Sequence, residues 1–328
     1  MNRSKTAKCW LPALLIILAV GFVSLNFLAY QHARAMMKFT HGGKRTSKPE
    51  ALSFPAKFKV LLAGVKLPRP ESARPPATLD PESRALSIDG GGGVTLEAWH
   101  VDRGPEAPLV ILFHAYSAEK TSLLFEARTF LDLGASVLLV DFRGSGGSSE
   151  FYTTLGVREA DDVAAAVGYA RQHLPHSSLV LFGQSMGSAA ILRAVDVHGV
   201  DPDGVILEAV FDTMLNTVRN RFHAMGVPSF PSAELLVFWA GKQWSVNGFS
   251  HNPVNYARSL NCPSLFMHGA RDPRATLLEA RRVFDAVPGP KTFVQFDAAG
   301  HEPYARRFPD EWRTAVAELI RGSRFFLN

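Results

Sequence analysis

One short segment, residues 178–187, constrains the fold of this 328-residue chain more than any other stretch. Its apolar run, residues 179–182, has the length and composition of a buried strand. Residues 183–187 then read G-x-S-x-G around Ser185, and the alanine-, leucine- and isoleucine-rich residues 188–195 are typical of a helix. The segment therefore predicts a strand, a tight turn and a helix in direct succession.

A serine in such a turn is held in a strained backbone conformation, because the chain passes from strand to helix within a few residues. Glycine is needed beside it wherever a Cβ atom would clash. The Ser185 hydroxyl would stand clear of the sheet, near the N–H groups and positive dipole end of the following helix. Ser185 is therefore a candidate nucleophile. The alternative is an ordinary serine in a glycine-rich loop, because the motif alone is common by chance.

From about residue 82 onward, strand-like and helix-like runs alternate along the chain. The tetraglycine run 90–93 indicates a hairpin turn, because no helix follows it as a phosphate-binding loop would require. The alternation predicts a mostly parallel sheet of about eight strands with helices on both faces. The predicted strands are residues 85–88, 94–101, 109–113, 136–141, 179–182, 204–207, 263–267 and 292–296. The predicted helices are residues 118–133, 157–172, 188–195, 274–286 and 302–321.

A nucleophilic serine needs a histidine base and an acid that orients the histidine. In a parallel sheet such groups collect at the carboxyl ends of strands. His301 follows the last predicted strand and Asp272 follows the one before it, which gives the chain order serine, acid, histidine. We therefore predict a triad of Ser185, Asp272 and His301. Asp212 is the second choice for the acid.

Two N–H groups are candidates for stabilising negative charge on a substrate oxygen. One belongs to Met186, directly after the serine, and the other to Tyr116, in the loop after the strand 109–113. The hydroxyl of Tyr116 is the alternative to its N–H group. The sequence contains no P-loop, no G-x-G-x-x-G motif and no paired cysteine and histidine spacing, so no metal and no organic cofactor are predicted.

Several other polar residues are predicted to have structural roles. His114 and His268 follow strands and are expected to brace loops. Asp141 and Arg143 introduce a glycine-rich turn in which Arg143 is expected to pair locally. Glu159 and Asp162 fall in the first turns of a predicted helix, where acidic side chains suit the helix dipole.

Five motifs together resemble the α/β-hydrolase superfamily: residues 113–116, 141–144, 183–187, 268–272 and 300–301. They are most similar to bacterial serine hydrolases of the serine aminopeptidase and monoglyceride-lipase-like group and to dienelactone-hydrolase relatives. The resemblance covers about residues 54–328. It implies an α/β-hydrolase fold with a small helical lid insert.

The resemblance also implies a serine hydrolase that cleaves carboxylic esters of small molecules through an acyl-enzyme. A peptidase or amidase with the same triad is one alternative, and a non-catalytic membrane-tethered binding module is another. One position departs from the family pattern: the loop usually reads His-Gly, and here Ala115 replaces the glycine. If that position requires a positive φ, the loop that carries Tyr116 is strained or shifted.

The lid insert is predicted at about residues 210–258, between the strands 204–207 and 263–267. An apolar lid over the serine would favour a substrate with an apolar acyl or alcohol part. Apolar residues of this insert include Met214, Leu215, Val218, Phe222, Met225, Leu235, Leu236, Phe238, Trp239, Trp244 and Phe249.

Residues 10–30 are almost wholly apolar and long enough to cross a bilayer as a helix, with Trp10 and Tyr30 at the ends. The prediction is a single-pass membrane protein. The alternative is a cleaved signal peptide and a secreted or periplasmic protein, because residues 33–35 read Ala-Arg-Ala. The predicted organisation is an anchor or signal peptide at residues 1–35, a basic and then proline-rich linker at 36–81, and a catalytic domain at 82–328.

Charge is distributed unevenly along the chain. Residues 1–48 hold eight of the 35 lysines and arginines and no acidic residue, so the remainder has 27 basic and 30 acidic residues. The excess positive charge therefore belongs to the N-terminal segment, where it indicates a membrane surface rather than a nucleic-acid partner. Basic residues flank the apolar run on both sides, so the sequence assigns no orientation in the membrane.

Overall fold

The structure is a computed structural model that describes residues 4–47, 52–71 and 73–322. The described residues form one eight-stranded sheet in the order β1-β2-β4-β3-β5-β6-β7-β8. β2 pairs antiparallel with β1 and β4, and the remaining neighbours are parallel. The mostly parallel sheet of about eight strands is thereby confirmed. The strands are β1 (Arg84–Gly91), β2 (Val94–Val101), β3 (Leu109–Phe113), β4 (Ser136–Val140), β5 (Leu179–Gln184), β6 (Gly204–Glu208), β7 (Ser264–Gly269) and β8 (Lys291–Phe296).

Helices cover both faces of this sheet, as the alternation predicted. The described α-helices are α1 (Ser4–Met37), α2 (Phe54–Ala63), α3 (Leu124–Asp132), α4 (Glu159–His173), α5 (Met186–His198), α6 (Met214–Met225), α7 (Ser232–Trp244), α8 (Pro253–Tyr256), α9 (Leu277–Ala286), α10 (Tyr304–Arg307) and α11 (Pro309–Gly322). One apolar cluster joins the sheet to α4, α5, α8 and α9, and a second joins it to α3, α10 and α11. β3, β4 and β6 are buried along their whole length, which explains their continuous apolar sequences.

Two predicted helices differ from the observed ones for reasons that are visible in the sequence. The predicted helix 302–321 is divided into α10 and α11 at Pro309, whose ring cannot continue the hydrogen-bond pattern of α10. The predicted helix 274–286 begins only at Leu277, because Thr276 and Glu279 form a reciprocal cap. The tetraglycine turn is confirmed: Gly91 pairs with Val94 across the hairpin.

The N-terminal helix α1 extends beyond the apolar run that was recognised in the sequence. Its segment Pro12–Met37 is long and apolar enough to cross a membrane, a test that a signal sequence near the N-terminus also passes. The side chains from Leu14 to Phe27 are largely exposed, whereas Ala29, Ala33 and Met37, spaced one turn apart, are buried. Trp10 lies in the part of α1 whose side chains the structure does not describe.

The C-terminal half of α1 packs on α7, which lies in the predicted lid insert. The indole N–H of Trp239 in α7 donates a hydrogen bond to the Asn26 side chain, at 3.2 Å, and Gln243 donates to the Tyr30 carbonyl oxygen, at 2.9 Å. The rings of Tyr30 and Trp239 meet edge to face. Ala33 completes a buried cluster with residues of α6 and α7. The helix that begins as an apolar span therefore ends as part of the folded domain.

The described residues between 36 and 81 contain regular elements, although their composition predicted a linker. They include α2 and two isolated bridges, Lys38 to Tyr152 and Thr40 to Pro68. α2 buries none of its own residues. His32 of α1 contacts the Leu61 carbonyl oxygen of α2 at 2.8 Å. This segment thus runs along the domain beside α1.

Candidate active site

Ser185 lies in the turn between β5 and α5 with φ 54° and ψ −105°, a conformation that L-residues rarely adopt. Its N–H donates to the Glu208 carbonyl oxygen of β6, at 2.8 Å. A Cβ atom on Gly183 would lie 2.6 Å from the Gly187 carbonyl carbon, and one on Gly187 would lie 2.3 Å from the Phe113 carbonyl oxygen. Both glycines of the motif are therefore required by close backbone contact.

His301 and Asp272, from the loops after β8 and β7, form a hydrogen bond of 2.7 Å between Nδ1 and Oδ2. The other Asp272 oxygen accepts from the N–H groups of Arg274 and Ala275, at 2.8 and 3.1 Å. Burial opposes ionisation of Asp272, but the hydrogen bond and charge of His301 outweigh it and hold the pKa of Asp272 below its usual value. Asp272 is therefore an ionised acid fixed behind the imidazole.

Ser185 and His301 line one cavity of about 270 Å³, which we call the serine cavity. The structure thus brings together the three residues that the sequence selected for a triad, with Asp272 behind His301. The walls of this cavity also carry Arg45, Arg221, Arg274 and Glu302. Its charged lining is mainly positive, which favours a substrate that carries negative charge or develops it.

The alternative acids are engaged elsewhere. Asp212 accepts hydrogen bonds from Asn216 and from Arg282, the latter at 3.2 Å, and so anchors the start of α6. Asp297, which is not preferred because it lies only four residues before His301 in the sequence, accepts from the side chain of Gln295 at 2.6 Å. Of the acids considered, Asp272 is the one that the structure pairs with His301.

The two candidate N–H donors belong to different elements, and Tyr116 is the one that lines the serine cavity. Met186 is the first residue of α5, and the first N–H groups of a helix have no partner within it. Tyr116 lines the serine cavity, and its hydroxyl donates to the Met36 carbonyl oxygen of α1 at 2.5 Å. Burial raises the pKa of Tyr116 to about 12, so the hydroxyl stays protonated. Because this hydroxyl is engaged with α1, the N–H group is the better candidate in Tyr116.

The replacement of glycine by Ala115 does not produce the strain considered from the sequence. Among the described residues with positive φ, Ser117 is present at 54° and Ala115 is not. The Ser117 carbonyl oxygen accepts from Arg45 at 3.0 Å. His114 contacts the Ala115 carbonyl oxygen through Nδ1, at 2.9 Å, and accepts the Phe142 N–H through Nε2. The loop is therefore braced from both sides.

The residues predicted to be structural have such contacts. Burial lowers the pKa of His268, whose Nε2 contacts the Ala275 carbonyl oxygen at 2.8 Å. Arg143 forms a two-pronged ion pair with Asp162. Glu159 accepts hydrogen bonds from the loop residues Thr153, Thr154 and Gly156. These groups therefore brace the loops that follow β4 and β7.

Sequence reasoning missed the buried carboxyl of Glu208, beneath the serine. The backbone carbonyl oxygen of Glu208 accepts a hydrogen bond from the Ser185 N–H group. The carboxyl of Glu208 accepts from Trp312 at 2.5 Å and from Gln184 at 3.1 Å. Burial, and then the nearby Glu126, raise the pKa of Glu208 to about 8. An acidic residue at the end of an apolar strand was the only sign of this group in the sequence.

Sequence reasoning also missed Lys120 and Met36. The Lys120 ammonium pairs with Asp141 and Glu97, and its N–H donates to Asp141 at 2.7 Å, which ties the loop after β3 to the loop after β4. Met36 lines the serine cavity although it belongs to the N-terminal helix.

Within the described ranges, no group of three or more histidine, cysteine, aspartate or glutamate side chains is arranged to hold a metal ion.

Comparison with known proteins gives matches over most of the chain. A family model described as the alpha/beta hydrolase fold matches residues 108–249. The uncharacterized protein YqkD of Bacillus subtilis is 24% identical over 242 residues, which cover 73% of this chain and 79% of that protein. Dipeptidyl aminopeptidase BIII of Pseudoxanthomonas mexicana is 26% identical over 234 residues, which cover 64% of this chain but only 32% of the peptidase.

A solved structure of the esterase Pf2001 of Pyrococcus furiosus also matches. It superposes with a TM-score of 0.65 and 25% identity, over 78% of this chain and 96% of the esterase. The matches indicate the same fold as the sheet order and the strained serine after β5. The chain is therefore an α/β-hydrolase-fold protein, and its resemblance to that superfamily is confirmed.

Proposed function

We propose that this protein is a membrane-anchored serine hydrolase that cleaves carboxylic esters. The proposal rests on the hydrogen bond between His301 and Asp272. His301 lines the same cavity as Ser185, whose φ of 54° is strained. Strain of this kind persists only where the surrounding structure enforces it, and it is concentrated at functional sites.

The proposed reaction begins when the Ser185 oxygen attacks the ester carbonyl carbon and His301 takes the serine proton. Asp272 holds the imidazole in position and stabilises its positive charge. The N–H groups of Met186 and Tyr116 bind the oxygen on which negative charge develops. The carbon–oxygen bond then breaks, His301 gives its proton to the leaving alcohol, and an acyl-enzyme remains. Water, activated by His301, releases the acid and restores Ser185.

The membrane anchor is supported by the two halves of α1. Its residues from Leu14 to Phe27 expose a continuous apolar surface that water would not favour. Its C-terminal half is packed into the domain, with Ala33 fully buried. Cleavage after residue 35 would remove these contacts, so we favour an anchor over a signal peptide. The mass of the purified mature protein tests this: loss of about 35 residues, as the Ala-Arg-Ala pattern allows, would favour the secreted alternative.

A fluorophosphonate probe tests the serine chemistry directly. The full chain in detergent should be labelled at Ser185, as located by mass spectrometry, and labelling should disappear in Ser185→Ala and His301→Ala. The exposed serine variant Ser250→Ala is the matched control and should label like the wild type. A folded protein that neither labels nor cleaves p-nitrophenyl acetate would favour the binding-module alternative.

The peptidase alternative has one specific observation in its favour, the match to a dipeptidyl aminopeptidase. That match covers 32% of the peptidase, so most of that protein has no counterpart in it. Parallel turnover of p-nitrophenyl butyrate and of aminoacyl p-nitroanilides distinguishes the two activities. Faster cleavage of the anilides would favour a peptidase.

A further inference from the structure

A second cavity, of about 220 Å³, lies between α1, α2, α6 and α7, and we call it the anchor cavity. Most of its lining is aliphatic or aromatic, although His32, Ser47 and Arg221 also reach it. Representative lining residues are Leu25 and Leu28 of α1, Val60 and Leu61 of α2, Phe222 of α6 and Leu236 of α7. A cavity of this kind accepts an apolar group, but it has few hydrogen-bond partners for a polar one.

The anchor cavity adjoins the serine cavity. Five residues line both: Met36, Thr46, Ser47, Val65 and Arg221. A ligand that occupies both cavities would therefore place an apolar part between the helices and a reactive part beside Ser185. An ester with a long acyl chain has this shape.

The far end of the anchor cavity lies on the membrane side of α1. Leu25 is half-buried and lies between the exposed residues Val23 and Phe27, whereas Met36 is at the serine cavity. At about 1.5 Å of rise per residue, these two positions are roughly 16 Å apart along the helix. The cavity thus runs along α1 from the proposed membrane span toward the serine, a distance suited to an extended acyl chain rather than an acetyl group.

α2 carries a stripe of exposed apolar side chains, whose last member, Leu62, also lines the anchor cavity. Phe54, Phe58 and Leu62 follow one another at helical spacing and are 84%, 61% and 57% exposed. Lys57 and Lys59 lie between them in sequence. Aromatic and aliphatic residues on one helix face with neighbouring lysines are typical of a helix that lies in a membrane interface. Phe230, in the loop between α6 and α7, is also 75% exposed.

We propose that the substrate is a membrane lipid ester whose acyl chain enters the anchor cavity directly from the bilayer. This inference rests on the proposed function and its membrane anchor. The acyl chain would lie between α1, α2, α6 and α7, and its ester carbonyl would reach Ser185. Hydrolysis then adds one water and yields a free fatty acid and the lipid alcohol, through the acyl-enzyme described above.

Filling the anchor cavity tests the inference. We would reconstitute the full chain in phosphatidylcholine vesicles and measure turnover of p-nitrophenyl acetate and of p-nitrophenyl palmitate dissolved in the vesicles. Val60→Trp and Leu25→Trp add bulk inside the anchor cavity, and neither residue lines the serine cavity. Each should lower the ratio of palmitate to acetate turnover by about tenfold or more. Val197→Trp, on the exposed end of α5, is the matched control and should leave the ratio unchanged.

The outcomes separate the inference from the proposed function. If the wild type labels with fluorophosphonate and cleaves acetate, but cleaves palmitate no faster than acetate, the lipid inference is overturned and the hydrolase stands. An unchanged ratio in Val60→Trp and Leu25→Trp, with labelling retained, also overturns it. If the wild type does not label at Ser185 at all, the proposed function itself fails. Labelling of each variant shows that its active site is folded.

Discussion

The hydroxyl of Tyr116 donates a hydrogen bond to the carbonyl oxygen of Met36, with 2.5 Å between the oxygens. Tyr116 belongs to the loop proposed to stabilise the oxyanion, and Met36 lies in the last turn of α1. The contact therefore links the proposed membrane anchor to the proposed chemistry. Because α1 also packs on α7, one helix contacts both the proposed oxyanion loop and the predicted lid insert.

Tyr116→Phe removes this link and leaves the Tyr116 N–H in place. We expect kcat for p-nitrophenyl butyrate to fall about fivefold, equivalent to about 1 kcal/mol for one lost hydrogen bond. A loss of about a hundredfold or more would instead indicate that the hydroxyl itself binds the oxyanion. Tyr169→Phe in α4 is the control, because Tyr169 lies outside both cavities. Wild-type kinetics in Tyr116→Phe would mean that the loop does not depend on α1.

Asp272→Asn tests which acid orients His301. An asparagine of similar shape would favour the wrong tautomer of the imidazole, and we expect kcat to fall about ten-thousand-fold, as the corresponding change does in a serine protease with a Ser-His-Asp triad. Asp212→Asn is the matched variant, and its effect should be confined to stability, because Asp212 bonds to Asn216 and Arg282. A larger loss of kcat in Asp212→Asn than in Asp272→Asn would reverse the assignment.

The parts of the site that could be predicted from sequence depend on local geometry. Gly183, Ser185 and Gly187 lie within one turn, so the steric requirement of that turn appears directly as a motif. His301 and Asp272 follow from the rule that functional groups collect at the carboxyl ends of parallel strands. Their mutual hydrogen bond is a geometric finding, and their catalytic roles remain a prediction.

The parts that were missed depend on contacts distant in sequence. Asn26 and Trp239 are 213 positions apart, and no local pattern in α1 indicates that its last turns pack on α7. The composition of residues 36–81 led us to predict a linker. Two residues of this segment, Leu67 and Leu79, are buried in the structure. In contrast, the division of the last helix at Pro309 was visible in the sequence and was overlooked.

Gly187→Ala should destabilise the protein, because the added Cβ would lie 2.3 Å from the Phe113 carbonyl oxygen. The backbone of the turn between β5 and α5, or that of β3, must move. We expect a loss of about 1–3 kcal/mol in the free energy of unfolding, measured with urea in detergent. Gly168→Ala in α4 is the control. No atom lies within 4 Å of its added Cβ, and alanine favours a helix over glycine by up to about 1 kcal/mol. Equal stability of the two variants would contradict the close contact.

The buried carboxyl of Glu208 should make stability depend on pH. Burial and then Glu126 raise its pKa from 4.5 to about 8 in the folded protein. Between these values the folded state keeps a proton that the unfolded state has lost, so the free energy of unfolding should decrease as pH rises from about 4.5 to about 8. Glu208→Gln removes the ionisable group while keeping an acceptor for Trp312, so it should flatten this decrease and raise stability most at pH 8. Urea unfolding at pH 5 and pH 8 measures the difference, with the exposed variant Glu311→Gln as control. A slope that is identical in Glu208→Gln and the wild type would show that Glu208 does not hold its proton at neutral pH.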